Sequence, residues 1–183
     1  IPPFYRTLAN ATLPVPLTFR ICVSGAAPLP VQVLKDFEAK HHIPLIEGYG
    51  LTETFTFVTG IAASENTRGS HGIVLPGNTL RIVDPDSGEI LPMGETGEII
   101  VKGPTLMPGY LRVPPEDTFD GEGFIHTADA GYLTEDGHLF WKGRLGDMIK
   151  TGGANVSPAG IDAVLAQHPA IQSVFAVGVP HDT

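Results

Sequence analysis

The sequence predicts an α/β segment, then a β-rich subdomain, then the opening of a small α+β domain. Three observations carry this. Residues 20–47 read strand, loop, helix, strand. From about position 73 to 143, short apolar runs bounded by turn residues replace any helical period. From Leu145 a helical period returns. The divisions expected are 1–72, 73–144 and 145–183.

Taken in order, Arg20-Ile21-Cys22-Val23 reads as a buried strand, followed by the loop Ser24-Gly25-Ala26-Ala27. Pro30 opens a helix, where its missing N–H costs nothing. Val33, Leu34 and Phe37 form one apolar face. Pro44-Leu45-Ile46-Glu47 is the next strand and ends at Gly48-Tyr49-Gly50. Leu80–Val83 and Gly97–Val101 read as strands, the first leading into the turn Asp84-Pro85-Asp86-Ser87-Gly88. Runs from Phe124 to Leu133 and from His138 to Lys142 flank Thr134-Glu135-Asp136-Gly137, a hairpin signal. Ser157-Pro158 caps a helix with Ile161, Val164, Leu165 and His168 on one face, and Ile171–Val179 is an apolar strand.

Composition narrows the function. The chain has 183 residues, 42% apolar and 17% charged, enough to bury a core. Lys and Arg total 11 against 20 Asp and Glu. The net charge of -9 argues against a nucleic-acid surface but leaves room for a small phosphate ligand, which needs donors at one point only. Cys22 is the single cysteine, which fits a reducing, cytoplasmic setting. No run of 18 apolar residues spans a bilayer. Ile1-Pro2-Pro3 lacks both an initiator Met and signal-peptide features, so both ends read as interior sequence.

The chemistry concentrates in Gly48-Tyr49-Gly50-Leu51-Thr52-Glu53-Thr54. Two glycines around an aromatic let backbone approach a flat ligand. A hydroxyl beside a carboxylate suits a phosphate oxygen and its Mg2+. Glu53 stands where a dinucleotide fingerprint ends in Gly, so this is not that fingerprint. The segment resembles the Tyr-Gly-Leu-Thr-Glu motif of the adenylate-forming superfamily, which includes acyl- and aryl-CoA synthetases, peptide-synthetase adenylation domains and beetle luciferases. Four further segments resemble that family in order: Ser24–Leu29; Gly97–Gly103 with Met107-Pro108-Gly109-Tyr110; His126–Tyr132; and Gly143–Lys150 with Thr151–Pro158.

The resemblance implies a fragment of that fold and assigns roles. Gly25, Ala26 and Ala27, with Gly48 and Tyr49, would face adenine, and Glu47 and Gly50 would belong to the same nucleotide-binding set. Thr52 would take phosphate and Glu53 would take Mg2+. Asp129 and Arg144 would hold ribose, with Trp141 packed near the nucleotide. The family's Gly before that Asp is Ala128 here, a methyl expected to do little harm. Gly146, with Asp147, stands at the family's hinge, commonly Asp or Lys. Lys150, Gly152 and Gly153 would enter the site in the CoA step. The implied activity is acid–CoA ligation using ATP, Mg2+ and CoA. The acid expected is a medium or long fatty acid, then an aryl acid; a peptide-synthetase-type adenylation domain or a non-catalytic nucleotide-binding piece is the alternative. The family's phosphate loop and its catalytic Lys are expected outside positions 1–183, so this chain alone is expected not to form acyl-adenylate. An open sheet edge is expected to favour self-association.

Plainer roles are expected elsewhere. The seven histidines show no metal-ligand spacing, and His41-His42 end a helix at the surface. Cys22 is a small core residue. Glu47, Glu98 and Asp129 also admit reading as hydrolytic carboxylates, which the resemblance disfavours. Lys102 and Lys142 are strand-face solubilisers. Phe55 and Phe57 are core or border an acyl pocket.

Overall fold

The structure is a computed structural model and describes residues 1–13, 18–60, 67–152, 154–166, 168, 170–171 and 174–179. Helix α1 (Pro2–Asn10) starts on prolines, whose fixed φ suits a first turn. Strand β1 (Cys22–Ser24) leads through a loop to α2 (Val31–His41) and then to β2 (Leu45–Glu47). β1 and β2 pair in parallel, Cys22 opposite Leu45 and Ser24 opposite Glu47. His42 ends α2 in the left-handed region, its N–H returning to Glu38 O at 2.9 Å. The expected apolar face of α2 is present. Val33, Leu34 and Phe37 pack with Tyr5, Leu29, Ile43 and Leu45. Burying a side chain such as Phe37 contributes about 1.5–3 kcal/mol.

The strand read as buried is covered on one side only. Helices α1 and α2 cover that side, while Ile21 and Val23 stay about 40% exposed. Ile21 and Val23 point to the face opposite Cys22, and only the Cys22 face has helices on it.

β3 (Thr59–Gly60) pairs antiparallel with β4 (Ile73–Val74). Next comes an antiparallel sheet in the order β5 (Thr79–Val83), β6 (Gly97–Lys102), β7 (Ile125–Leu133), β8 (Leu139–Arg144). Between Ile73 and Gly143 the described residues hold no α-helix, as expected; one 3-10 turn spans Pro115–Asp117. Leu80, Ile82, Ile99, Val101, Ile125 and Leu139 form a core with Tyr49 and Val58. The opposite face buries Val83, Ile100 and Phe124 under Arg81, whose guanidinium lies 4.4 Å from the Phe124 ring centre. His71 N–H donates to Leu139 O at 2.8 Å and Leu139 N–H to Gly72 O at 2.9 Å. These bonds and the shared core stitch the first α/β segment to the β-rich sheet across position 72.

A 3-10 turn (Leu145–Asp147) leads to the hairpin β9 (Ile149–Thr151) and β10 (Ala154–Val156), then α3 (Pro158–Leu165). Ser157 caps α3 as expected: its hydroxyl accepts from Gly160 N–H and donates to Lys142 O. The helix stops at Leu165, before His168. The face read as core-packing is open, with Val164 67% and Leu165 42% exposed. Together with Leu145, Met148 and Lys150 it walls a cleft of about 820 Å³. The strand expected over 171–179 is absent from the described part of that run, and Phe175, Val177 and Val179 are largely exposed. A strand needs a neighbour for its N–H and C=O groups, and no described strand pairs with this run. No helix among the described residues is long and apolar enough to cross a membrane.

Candidate nucleotide site

The centre of the site is a bulge in β7. Glu98 pairs with Ala130, and Ile100 pairs with His126. Two steps along β6 therefore match four along β7, so β7 carries two extra residues between those pairs. A bulge kinks the strand and re-aims side chains. Ala128 sits inside it at φ +56°, and Asp129 follows. Thr127 braces the kink: its hydroxyl donates to Ile99 O at 2.6 Å and accepts from Asp129 N–H at 3.1 Å. Glu98 Oε1 accepts from Ala128 N–H at 2.9 Å, and His126 Nδ1 lies 2.8 Å from Glu98 Oε2.

Asp129 is 2% exposed. Tyr49 O–H donates to its Oδ2 at 2.8 Å. Burial, then the Asp129 charge, pushes the Tyr49 phenol well above its usual range, so it stays protonated and donating. Arg144 Nε lies 3.3 Å from Oδ1, while its Nη1 donates to Thr127 O at 3.1 Å. The pair is close enough for charge attraction, yet Oδ1 makes no hydrogen bond among the described residues. A buried, unpaired carboxylate oxygen is costly unless something hydrogen-bonds it. Oδ1 thus stands as an open acceptor beside a guanidinium that is half exposed. Two adjacent hydroxyls of a sugar match such an acceptor.

The glycine loops meet at Phe57. A Cβ on Gly25 would lie 2.7 Å from the Phe57 ring, and one on Gly48 would lie 2.8 Å from it and 2.9 Å from Thr59 O. Both positions therefore need glycine for close approach. Ala26 is held at φ +68°, and both Ala26 and Ala27 are exposed. Behind this loop, Glu47 is 3% exposed. Its Oε1 accepts from Leu29 N–H at 2.8 Å and lies 3.9 Å from His71 Nε2. Burial raises Glu47 to about 7 and lowers His71 to about 4, so near neutral pH this contact is not a full ion pair. Glu47 braces the loop from below and lines a cavity of about 490 Å³ with Val23, Gly48, Phe57, Val74 and Leu75.

Gly50 bridges to Phe57, and the next turn presents Thr52 and Glu53. Thr54, buried, accepts from Leu51 N–H and so ties the 3-10 turn Thr52–Thr54. Thr52 is exposed. Glu53 is held from the Met107–Tyr110 segment: Tyr110 O–H donates to its Oε1 at 2.7 Å, and Met107 N–H to its backbone O at 2.8 Å. Trp141 packs against the same core as Tyr49, and its backbone N–H donates to His71 Nδ1 at 3.4 Å.

The structure thus joins Tyr49, Asp129 and Arg144 directly, and Gly25 with Gly48 through Phe57. Lys150 is exposed on β9, beside the 820 Å³ cleft. Gly146 and Asp147 lie in the turn between β8 and β9, and a Cβ at Gly146 would meet nothing within 4 Å. Packing therefore does not demand glycine at that position. Gly152 sits at φ +55°; Gly153 lies outside the described residues. One expectation needs correction. Ala128 is not a harmless methyl, because its backbone lies where L-residues pay strain. Of the two readings left open for Phe55, core is excluded, since it is 88% exposed on the turn. The bracing by Glu98, Thr127 and Tyr110 was missed by sequence reasoning. The only signal was that each lies within a recognised motif.

The model of the AMP-binding enzyme family matches residues 1–111. The chain is 36% identical to a 4-coumarate–CoA ligase-like protein of Oryza sativa subsp. japonica, over 98% of this chain and 34% of that one. It is 39% identical to a luciferin 4-monooxygenase of Luciola mingrelica, over 86% of this chain and 29% of that one. In fold it is similar to O-succinylbenzoate coenzyme A synthetase of Bacillus subtilis in complex with ATP and magnesium. That match has a TM-score of 0.85 and 30% identity, and covers 98% of this chain and 38% of the other. The chain thus spans about a third of the length of the curated relatives it matches. Its fold is part of the adenylate-forming enzyme fold, and the chain belongs to the AMP-binding enzyme family.

Proposed function

We propose that this chain supplies the ribose- and adenine-binding part of an ATP-dependent acid–CoA ligase. In this reading the acid is aromatic. The first expectation, a fatty acid, draws no support from the relatives named above, whose ligases are named for coumarate and O-succinylbenzoate. The 490 Å³ cavity beside Gly48, with Phe57 in its wall, suits a flat apolar group.

One observation carries the reading: Oδ1 of Asp129 is buried, without a hydrogen bond among the described residues, and flanked by Arg144. Ribose hydroxyls donate to it, while Arg144 holds charge at the rim. Gly25 and Gly48 let the Phe57 ring close on the two loops, and the exposed Ala26 and Ala27 offer the adenine plane their backbone. Thr52 offers a hydroxyl to phosphate. Glu53 fits Mg2+: it is one carboxylate, and Mg2+ usually takes one or two carboxylates with the rest from phosphate and water. Bound Mg2+ supplies charge stabilisation to the phosphates. The protein's share is to fix the acid carboxylate and the α-phosphate in attack geometry, a contribution of positioning and electrostatics. The turn at Gly146 and Asp147 serves as hinge, and Lys150 with Gly152 and Gly153 serves the thiol-transfer step.

Calorimetric titration with a non-hydrolysable benzoyl-AMP mimic tests the reading. Saturable binding that Asp129→Ala abolishes supports it; absence of binding by the folded chain rejects it. The luciferin 4-monooxygenase relative favours a second reading, in which the adenylate passes to an oxygenation. Thioester formation against oxygen uptake by the whole enzyme separates the two.

A further inference from the structure

The bulge in β7 leaves Ala128 N–H without a partner on the β6 backbone, and it forces φ +56° on a residue with a Cβ. Such a kink persists only where the surroundings over-determine it. Glu98 is the group that does so. It is 7% exposed, and one carboxylate oxygen takes Ala128 N–H at 2.9 Å. The other faces His126 Nδ1 at 2.8 Å, and His126 Nε2 in turn lies 3.8 Å from Asp120 Oδ2. Glu98 thus clamps both sides of Thr127, and the residue after the clamp is Asp129. The two hydrogen bonds close a bridge across the bulge that no backbone pairing supplies.

We infer that Glu98 is a positioning residue for nucleotide binding: it holds Ala128 in its left-handed conformation and so aims Asp129 at the sugar. This rests on the nucleotide reading above. Glu98 itself touches no ligand in this scheme. It acts through one backbone N–H, and what matters is an acceptor at that place. A Gln can keep that acceptor, whereas an Ala cannot. A Gly at position 128 needs less holding, because the left-handed region is open to it without strain.

Two readouts test this on the full chain. The first is the amide exchange rate of Ala128 and Asp129 by NMR. The second is the dissociation constant for the benzoyl-AMP mimic. Glu98→Ala is expected to speed exchange at Ala128 and weaken binding about tenfold. Glu98→Gln is expected to bind within about twofold of wild type. Glu98→Ala combined with Ala128→Gly is expected to recover most of the loss, which a general loss of stability would not produce. Glu98→Ala binding as tightly as wild type overturns the inference, as does Glu98→Gln binding as weakly as Glu98→Ala. Glu98→Gln with Ala128 exchange as fast as in Glu98→Ala also overturns it, and that comparison needs no ligand. If the wild-type chain binds no mimic, the nucleotide reading falls and takes the inference with it. If the wild type binds and only these variants behave otherwise, the nucleotide reading stands.

Discussion

The phenol of Tyr49 donates to Asp129 Oδ2 across 2.8 Å, joining residues 80 positions apart in the chain. Tyr49 comes from the glycine-flanked loop after β2, and Asp129 from the β7 bulge. This bond ties the loop assigned to adenine to the carboxylate assigned to ribose. It also leaves the other carboxylate oxygen as the only one open to a ligand.

Tyr49→Phe is therefore expected to act in two ways. It removes a charge-assisted hydrogen bond, worth about 1.5–3 kcal/mol. It also frees Asp129 to turn. Nucleotide affinity should fall about tenfold, with a lower urea midpoint. An unchanged dissociation constant in calorimetry would show that the pair plays no part in binding.

Ala128→Gly is expected to stabilise the chain. Relief of the left-handed conformation gains about 1–2 kcal/mol. The added freedom of Gly in the unfolded chain costs about 0.4–1 kcal/mol. The first effect wins by roughly 0.5–1 kcal/mol, read as a higher urea midpoint at unchanged slope. A lower midpoint would mean that the surrounding hydrogen bonds already absorb the strain.

Stability should carry the signature of Glu47. Its folded value is about 7, above its ordinary 4.5. A raised carboxyl binds more protons folded than unfolded between those values, so its contribution falls as pH climbs from about 4.5 through 7. His71 runs the other way: held down at about 4 against 6.5, it loses stability as pH drops from about 6.5 through 4. The two oppose each other over most of the acid range, and Glu47 alone acts just below pH 7. Glu47→Gln should thus gain on wild type between pH 5 and pH 8. The gain is at most roughly 3 kcal/mol, since each tenfold change in proton affinity is worth about 1.36 kcal/mol. Urea unfolding at the two pH values reads it, and equal differences at both would remove the burial argument.

Phe57→Ala is expected to change acid preference more than nucleotide affinity. The ring walls the 490 Å³ cavity and closes over Gly25 and Gly48. Its loss enlarges the cavity, so the whole enzyme should accept bulkier aryl acids. The measurement is kcat/KM across a series of substituted benzoates and cinnamates. A uniform fall across the series would place Phe57 in structural support rather than in the acid pocket.

Much was legible in the chain because it rests on local rules. Pro30 before Val33, Leu34 and Phe37, the cap Ser157-Pro158, and the turn Thr134–Gly137 each report a local backbone preference, and each stands where expected. The ordered motifs around Tyr49, Asp129 and Arg144 carry the resemblance to the family to which the chain belongs. What tertiary structure alone decided depends on partners far away in sequence. That Glu98 reaches over to Ala128, that Phe57 caps two glycines, and that Glu47 is buried beside His71 are all matters of packing between elements. The described part of the apolar run 171–179 shows the converse. Its pattern has the residues of a strand, but a strand exists only where a neighbour accepts its hydrogen bonds, and periodicity cannot report a neighbour.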